Sequence, residues 1–325
     1  MTAYPEYLRP IFERYITTAY GSLTEDEAAI GMPLTPYLGS TGTLDVSTGL
    51  TYPTKAERAR RNPKVALLYY DPKGSGVLQP LTILAQGYAA VRDADLQANT
   101  DRYIRESMQK IPAAMAGMPK FILKQMGWYF TRIYMEITPA HLYWWIHGRE
   151  DDPPEEWHAP EDTIYPTSDP APAGKSPGAW KAAPTAWKTA ALQAFALGQP
   201  VLTAKGIDGF PIMMRARSIE LTETGFLLEM PMGAPFRFAG EGSLSFSYYP
   251  EPFTGQTNRI FRGRIGDLSG KVNFIIERQL SDWSAGGDNR LAGSLSFLSA
   301  SFRLRSRLKT EAERRGQPVP VVKLP

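Results

Sequence analysis

Between Thr43 and Pro72 two strand-like runs flank one short, strongly basic helix, and few folds can use that combination. The first run carries Leu44 and Val46 and stops at Gly49. Pro53 suits the first turn of a helix, where a missing N–H costs nothing. Thr54 and Glu57 match the Thr-x-x-Glu spacing of a capping box. Asn62 precedes Pro63, which disfavours any further turn. From Lys64 to Tyr70, Val65, Leu67 and Tyr69 alternate with Ala66, Leu68 and Tyr70, and Asp71-Pro72 closes the run as a strand.

The charge of the helix is lopsided. Lys55, Arg58, Arg60, Arg61 and Lys64 stand against one acid, Glu57. Arg60 and Arg61 fall in the last turn, where the helix dipole favours cations. Lys55 falls in the first turn, where the dipole opposes one. Lys55, Arg58 and Arg61 recur every three residues and share a face. Such a face is either a solvated basic surface or a phosphate cradle, in which free N–H groups and cationic side chains converge on one anion.

The order Gly42-x-Leu44-x-Val46-Ser47-Thr48, then Lys55, then Arg61-Asn62-Pro63-Lys64-Val65, then Gln86-Gly87-Tyr88-Ala89, resembles the pyridoxamine 5'-phosphate oxidase-like superfamily of flavin- and deazaflavin-binding split β-barrels. The resemblance runs from about Leu34 to Trp145. It implies that Lys55 and a following Arg hold a cofactor phosphate, and that the chain is a flavin-dependent oxidoreductase moving hydride between FMN and a small organic substrate. In an FMN site Lys55, Arg58 and Arg61 would act with the hydroxyls of Ser47, Thr48 and Thr54. Gln79, Thr82 and Gln86 would meet the polar edge of the ring. Tyr69, Tyr143, Trp144 and Trp145 would line the substrate pocket, although alternation lets only one of Trp144 and Trp145 reach the ring. Deazaflavin coenzyme F-420 is the alternative, its acidic tail drawn by Arg60, Lys64 and Lys73. From another class comes a non-catalytic flavin or tetrapyrrole binder. No catalytic residue is identified.

The 325 residues are enough for two ordinary domains. With 28 Gly and 28 Pro the chain is turn-rich, which points to a mainly β fold with peripheral helices. A net charge of +3, with basic residues dispersed, argues against nucleic acid as partner. No apolar run is long enough to span a membrane and the N-terminus lacks signal-peptide form, so a cytoplasmic protein is expected. Without cysteine there is no disulfide, thiolate ligand or cysteine nucleophile. His141, His147 and His158 show no ligand-like pairing, and no metal site is expected.

Along the chain, Pro5 to Tyr20 has helical spacing, and Ala28–Leu38 with Thr43–Leu50 reads as the first hairpin around Gly39–Gly42. Val77–Asp93 reads as a long strand. Asp95–Met126 is helical with breaks at Pro112 and Pro119. Its Met108, Met115, Met118, Phe121, Ile122 and Met126 form either a packed face or a mobile lid. Trp128–His147 reads as two strands about Thr138-Pro139. The acidic, Pro-rich tract 149–185 reads as a linker, with Trp157, Trp180 and Trp187 as possible anchors.

The second half repeats the order of the first. The stretch from Ser243 can be laid over that from Val65, matching Tyr248-Tyr249 to Tyr69-Tyr70 and Gly263 to Gly87. Pro200–Met230 mirrors Ala28–Leu50, and PMGAPFRFAG, with Arg237 alone, replaces the basic helix. The expected organisation is therefore two tandem split β-barrels: 1–148 with the phosphate site, the linker 149–185, and a degenerate barrel 186–325. The barrels would pair within one chain or in a homodimer. The basic end of the C-terminal helix, up to Arg315, is expected to be solvated.

Overall fold

The computed structural model describes residues 4–112, 119–176, 187–251, 253, 255–268, 270–285 and 304–324. Its strands are β1 (Thr18–Leu23), β2 (Ala29–Leu34), β3 (Pro36–Leu38), β4 (Leu44–Gly49), β5 (Lys64–Tyr69), β6 (Leu81–Arg92), β7 (Arg132–Ile146) and β8 (Glu155–His158) in the first half. The second half has β9 (Val201–Lys205), β10 (Pro211–Arg215), β11 (Ser218–Leu221), β12 (Gly225–Glu229), β13 (Gly240–Tyr248), β14 (Gln256–Leu268) and β15 (Lys271–Ala285). The helices are α1 (Arg9–Arg14), α2 (Thr54–Arg61), α3 (Leu96–Lys110), α4 (Lys120–Gln125), α5 (Gly127–Phe130) and α6 (Trp187–Phe195), with α7 over residues 304–314.

The first sheet runs β2-β1-β5-β6-β7-β4-β3, with β8 beside β7, and the second runs β10-β9-β13-β14-β15-β12-β11. These are one order written twice, so the fold is mainly β with two tandem curled sheets. Every strand pair is antiparallel, and the register makes the repeat residue-specific. Val65 pairs with Gly87, and Gly242 pairs with Gly263. Both glycines follow a register shift: the partner strand skips Ala140 opposite Gly87 and Glu277 opposite Gly263. An extra residue there bends each long strand. A Cβ on Gly87 would collide with the Thr138 carbonyl oxygen, and one on Gly263 with that of Ile275. The same register corrects the tyrosine overlay. Tyr69 corresponds to Phe246, both buried in their own cores, and Tyr248 lies two positions further on.

Other sequence expectations shift with the fold. The N-terminal helix ends at Arg14, and Thr18–Leu23 is a strand buried along its whole length. The hairpin around Gly39–Gly42 joins β3 to β4, while β2 pairs with β1. The counterpart of the β9–β10 hairpin is therefore β1–β2, not Ala28–Leu50. Trp128–Phe130 is helical, and β7 is a single strand through Pro139, which the bulge accommodates. Met108 packs partly buried and Met126 buried in one cluster, whereas Phe121 is exposed; Met115 and Met118 lie outside the described residues, as does Trp180.

Within the tract 149–185, β8 extends the first sheet, and Trp157 packs edge-on to Tyr4 in the first core. Asp169 takes hydrogen bonds from the backbone N–H groups of Asp93 and Ala94. Trp187 packs on the second core. The end of α7 is not solvated. Arg315, 2% exposed, bonds Asp93 at 2.8 Å, Glu311 at 2.7 Å and Glu57 at 3.2 Å. Through Leu304, Leu308 and Ala312, α7 belongs to the core of the first barrel.

The barrels pack against each other within the chain. Ala19, Ala66, Leu68, Leu84 and Trp145 of the first meet Val201, Met213 and Met214 of the second. Gly31 N–H donates across this seam to Ser243 Oγ (2.8 Å), and Gln86 Nε2 to the Pro211 carbonyl (3.1 Å). Among the described residues no helix is long and apolar enough to cross a membrane.

Equivalent bulges should respond equivalently. Gly87→Ala and Gly263→Ala are each expected to destabilise the protein by about 1–3 kcal/mol through overpacking. Urea midpoints measure this, and a midpoint unchanged in either variant would contradict the close approach.

Candidate cofactor-binding site

Helix α2 is held by Ala56 and Ala59, both fully buried in the first core. Pro53 is its N-cap, with no side-chain cap; the Thr54–Glu57 capping box does not form. Glu57 turns instead to Arg60 (3.7 Å) and Arg315 (3.2 Å). Arg60 makes a two-pronged contact with Asp93 at 2.8 and 2.9 Å and also bonds the Asp169 carbonyl. One side of α2 is thus neutralised by buried carboxylates.

The other side is not. Among the described residues the side chains of Lys55, Arg58 and Arg61 make no hydrogen bond and no ion pair. Lys55 and Arg58 are half-buried and Arg61 is exposed. Burial, then the charges of Arg58 and Arg132, lowers the Lys55 ammonium to about 8. Burial also lowers Arg58; Arg61 and Arg262 push the same way, and Tyr20 and Asp26 oppose them.

Arg132, at the start of β7, was not singled out by sequence. It pairs with Gly49, its guanidinium stacks on Tyr103 (4.1 Å) and Tyr129 (4.8 Å), and Nη2 donates to the Tyr103 hydroxyl (2.8 Å). Its Nε is buried without a partner. The one clue was a lone cation inside a run of aromatic residues. A half-buried group of cations with orphaned donors fits a phosphate, which accepts several charge-assisted hydrogen bonds at once.

The other expected site residues divide. Ser47 pairs with Tyr134 on the sheet face that also carries Arg132, and Thr54 opens α2, so both stand with the cations. Thr48 points into the barrel and donates to the Tyr52 carbonyl (3.1 Å). Gln86 faces the seam, its Oε1 buried and unpartnered, which fits an N–H on a ring edge. Thr82 bonds Glu150 (2.5 Å) and His147 (3.1 Å), and Gln79 is exposed. Ala89 N–H bonds the Pro63 carbonyl just beyond α2. Thr82 lies seven residues along the strand from there, roughly 23 Å at strand rise.

Tyr69 is enclosed in the first core against Phe12 (5.1 Å) and cannot line a pocket. Trp144 faces that core, while Trp145 faces the seam and donates to the Asp152 carbonyl (3.1 Å). Tyr143 lies at the seam against Phe236 (5.5 Å). Sequence also treated His141 and His158 as scattered, yet their strands pair and their rings lie 4.9 Å apart.

The cations expected to draw an acidic tail are occupied. Arg60 is paired with Asp93, Lys64 donates to the Asp208 carbonyl (2.6 Å), and Lys73 to that of Tyr249 (3.0 Å). In the second barrel, residues 230–239 between β12 and β13 form no helix, and Arg237 is exposed.

No protein-family model matches the sequence, and no curated protein matches it. Solved structures similar to the chain include a putative pyridoxamine 5'-phosphate oxidase from Listeria innocua, at 18% identity over 42% of this chain and 94% of that one, with a TM-score of 0.29. General Stress Protein 26 from Bacillus anthracis is 15% identical over 47% of this chain and 96% of its own, with a TM-score of 0.31. An F420 reductase is 14% identical over 43% and 98%, with a TM-score of 0.32.

The lowered Lys55 has a stability consequence with a definite sign. Folding disfavours its charged form, so that penalty is fully present below about pH 8 and fades as pH rises toward the free-lysine value. Lys55→Met is therefore expected to raise the urea midpoint of the ligand-free protein at pH 7, with the gain shrinking between about pH 8 and 10.5. A gain independent of pH would show that the charge of Lys55 is not what the fold resists.

Proposed function

We propose that the chain binds FMN through α2 and is a flavin-dependent oxidoreductase acting on a small organic substrate. The observation that carries this reading is the set Lys55, Arg58 and Arg61, left without counter-ions on a helix whose Glu57 and Arg60 are both in ion pairs. With Arg132 and the hydroxyls of Ser47 and Thr54, they would hold the phosphate. Gln86 would accept a hydrogen bond from the ring, and the seam between the barrels, with Trp145 and Tyr143, would shield it from water. The bound flavin would supply the hydride chemistry, and the protein would orient the substrate and tune the ring. Residues 1–148, with α7 packed on their core, would carry the site and strands β9–β15 would form the partner barrel.

F-420 is the alternative, and one observation ranks it second. Arg60, Lys64 and Lys73 are engaged within the fold, which leaves its acidic tail without the basic patch it would need. A non-catalytic flavin or tetrapyrrole binder is the reading from another class. It is favoured by Thr82, expected at the ring edge, and Tyr69, expected in the substrate pocket, both of which the fold uses for itself.

Absorbance of the purified chain and parallel fluorescence titrations with FMN and F-420 separate these readings. FMN is expected to bind more tightly than F-420, and Lys55→Ala to weaken it by more than about tenfold, the size of a charge-assisted phosphate contact. Affinity should hold up to about pH 8 and fall above it, because the Lys55 ammonium then loses its proton. Equal affinity in wild type and Lys55→Ala would remove the site.

A further inference from the structure

The second barrel reaches the α2 site through one residue. Arg262 on β14 occupies the position that Gln86 holds on β6, one residue before the bulge glycine. Its register partner Ser243 accepts the Gly31 N–H, which sets this part of β14 against the β1–β2 hairpin. Arg262 is only 7% exposed. Its Nη2 donates to Asp26 in the hairpin turn (2.6 Å) and to Glu241 on β13, while Nε is buried with no partner. On the first-barrel side, α2 packs on β1, and Arg58 feels the charges of Asp26 and of Tyr20 on β1.

Arg262 thus reaches Asp26 of the first barrel, Arg58 on α2 feels the charges of both, and Asp26 is already engaged. A phosphate between Arg58 and Arg262 would relieve their repulsion and give Arg262 Nε an acceptor. We infer that Arg262 is a binding residue for the anionic end of the ligand and that Asp26 competes with the ligand for it. This rests on the α2 reading above.

The test titrates FMN, and separately inorganic phosphate, into wild type, Lys55→Ala, Arg262→Gln, Arg262→Lys and Asp26→Asn, with a urea midpoint for each. Arg262→Gln is expected to weaken both ligands about tenfold or more, and Arg262→Lys by less. Asp26→Asn breaks the same cross-seam ion pair but is expected to bind both ligands more tightly than wild type. If Arg262 only staples the barrels, Arg262→Gln and Asp26→Asn will lose stability together and bind alike, which overturns the inference. If Arg262→Gln does not fold, the sign for Asp26→Asn decides: tighter binding supports competition, and equal or weaker binding overturns it. Weakened binding in Lys55→Ala with none in Arg262→Gln sinks Arg262 alone. Wild-type binding in Lys55→Ala sinks the α2 site itself.

Discussion

The structure turns on an uneven division of charge around a two-turn helix. On one side of α2, Arg60 meets Asp93 and Glu57 meets Arg315, inside a network that also holds Glu311 and Asp169. Buried carboxylates and guanidiniums persist only when each finds a partner, and here they do. That closure leaves Lys55, Arg58 and Arg61 without a counter-ion. Had the carboxylates been shared out evenly, the helix would be an ordinary surface element. Because they are concentrated on Arg60 and Arg315, Lys55, Arg58 and Arg61 keep their charge unpaired.

Much of the architecture was readable from alternation and breakers. The β4–α2–β5 unit, the hairpin turns, the long β6 and the Gly87–Gly263 equivalence all follow from short-range pattern. The strand β1 escaped because all six of its residues are buried, which erases the period-two signal. Site residues were harder. Alternation says that Tyr69 and Tyr70, or Thr48 and Ser47, point opposite ways, but not which face meets the second barrel. Arg315 illustrates the other limit: its partner Asp93 is 222 residues away, and nothing local distinguishes a paired arginine from a solvated one.

The two halves repeat the strand order and the bulge yet diverge where chemistry would occur. One copy keeps a basic helix between its fourth and fifth strands; the other has a loop whose Phe236 and Phe238 pack toward the seam. Gln86 and Arg262 occupy one position in two copies and both reach across to the opposite barrel. Joining both barrels in one chain lets the two sides of the interface change independently. In a pair of identical subunits any substitution appears on both sides at once.

The return of α7 to the first barrel sets an order of events during synthesis. The first sheet and α2 leave the ribosome early, but the guanidinium that meets Asp93 and Glu57 is encoded near residue 315. Until that last helix emerges, Asp93 must rely on Arg60 alone, and the apolar strip that Leu304 and Leu308 cover stays wet. Domains generally fold as units from the N-terminus. Here vectorial folding of the first barrel cannot finish before the strands of the second have been translated, and a chain halted before α7 emerges would expose the unfinished flank to chaperones.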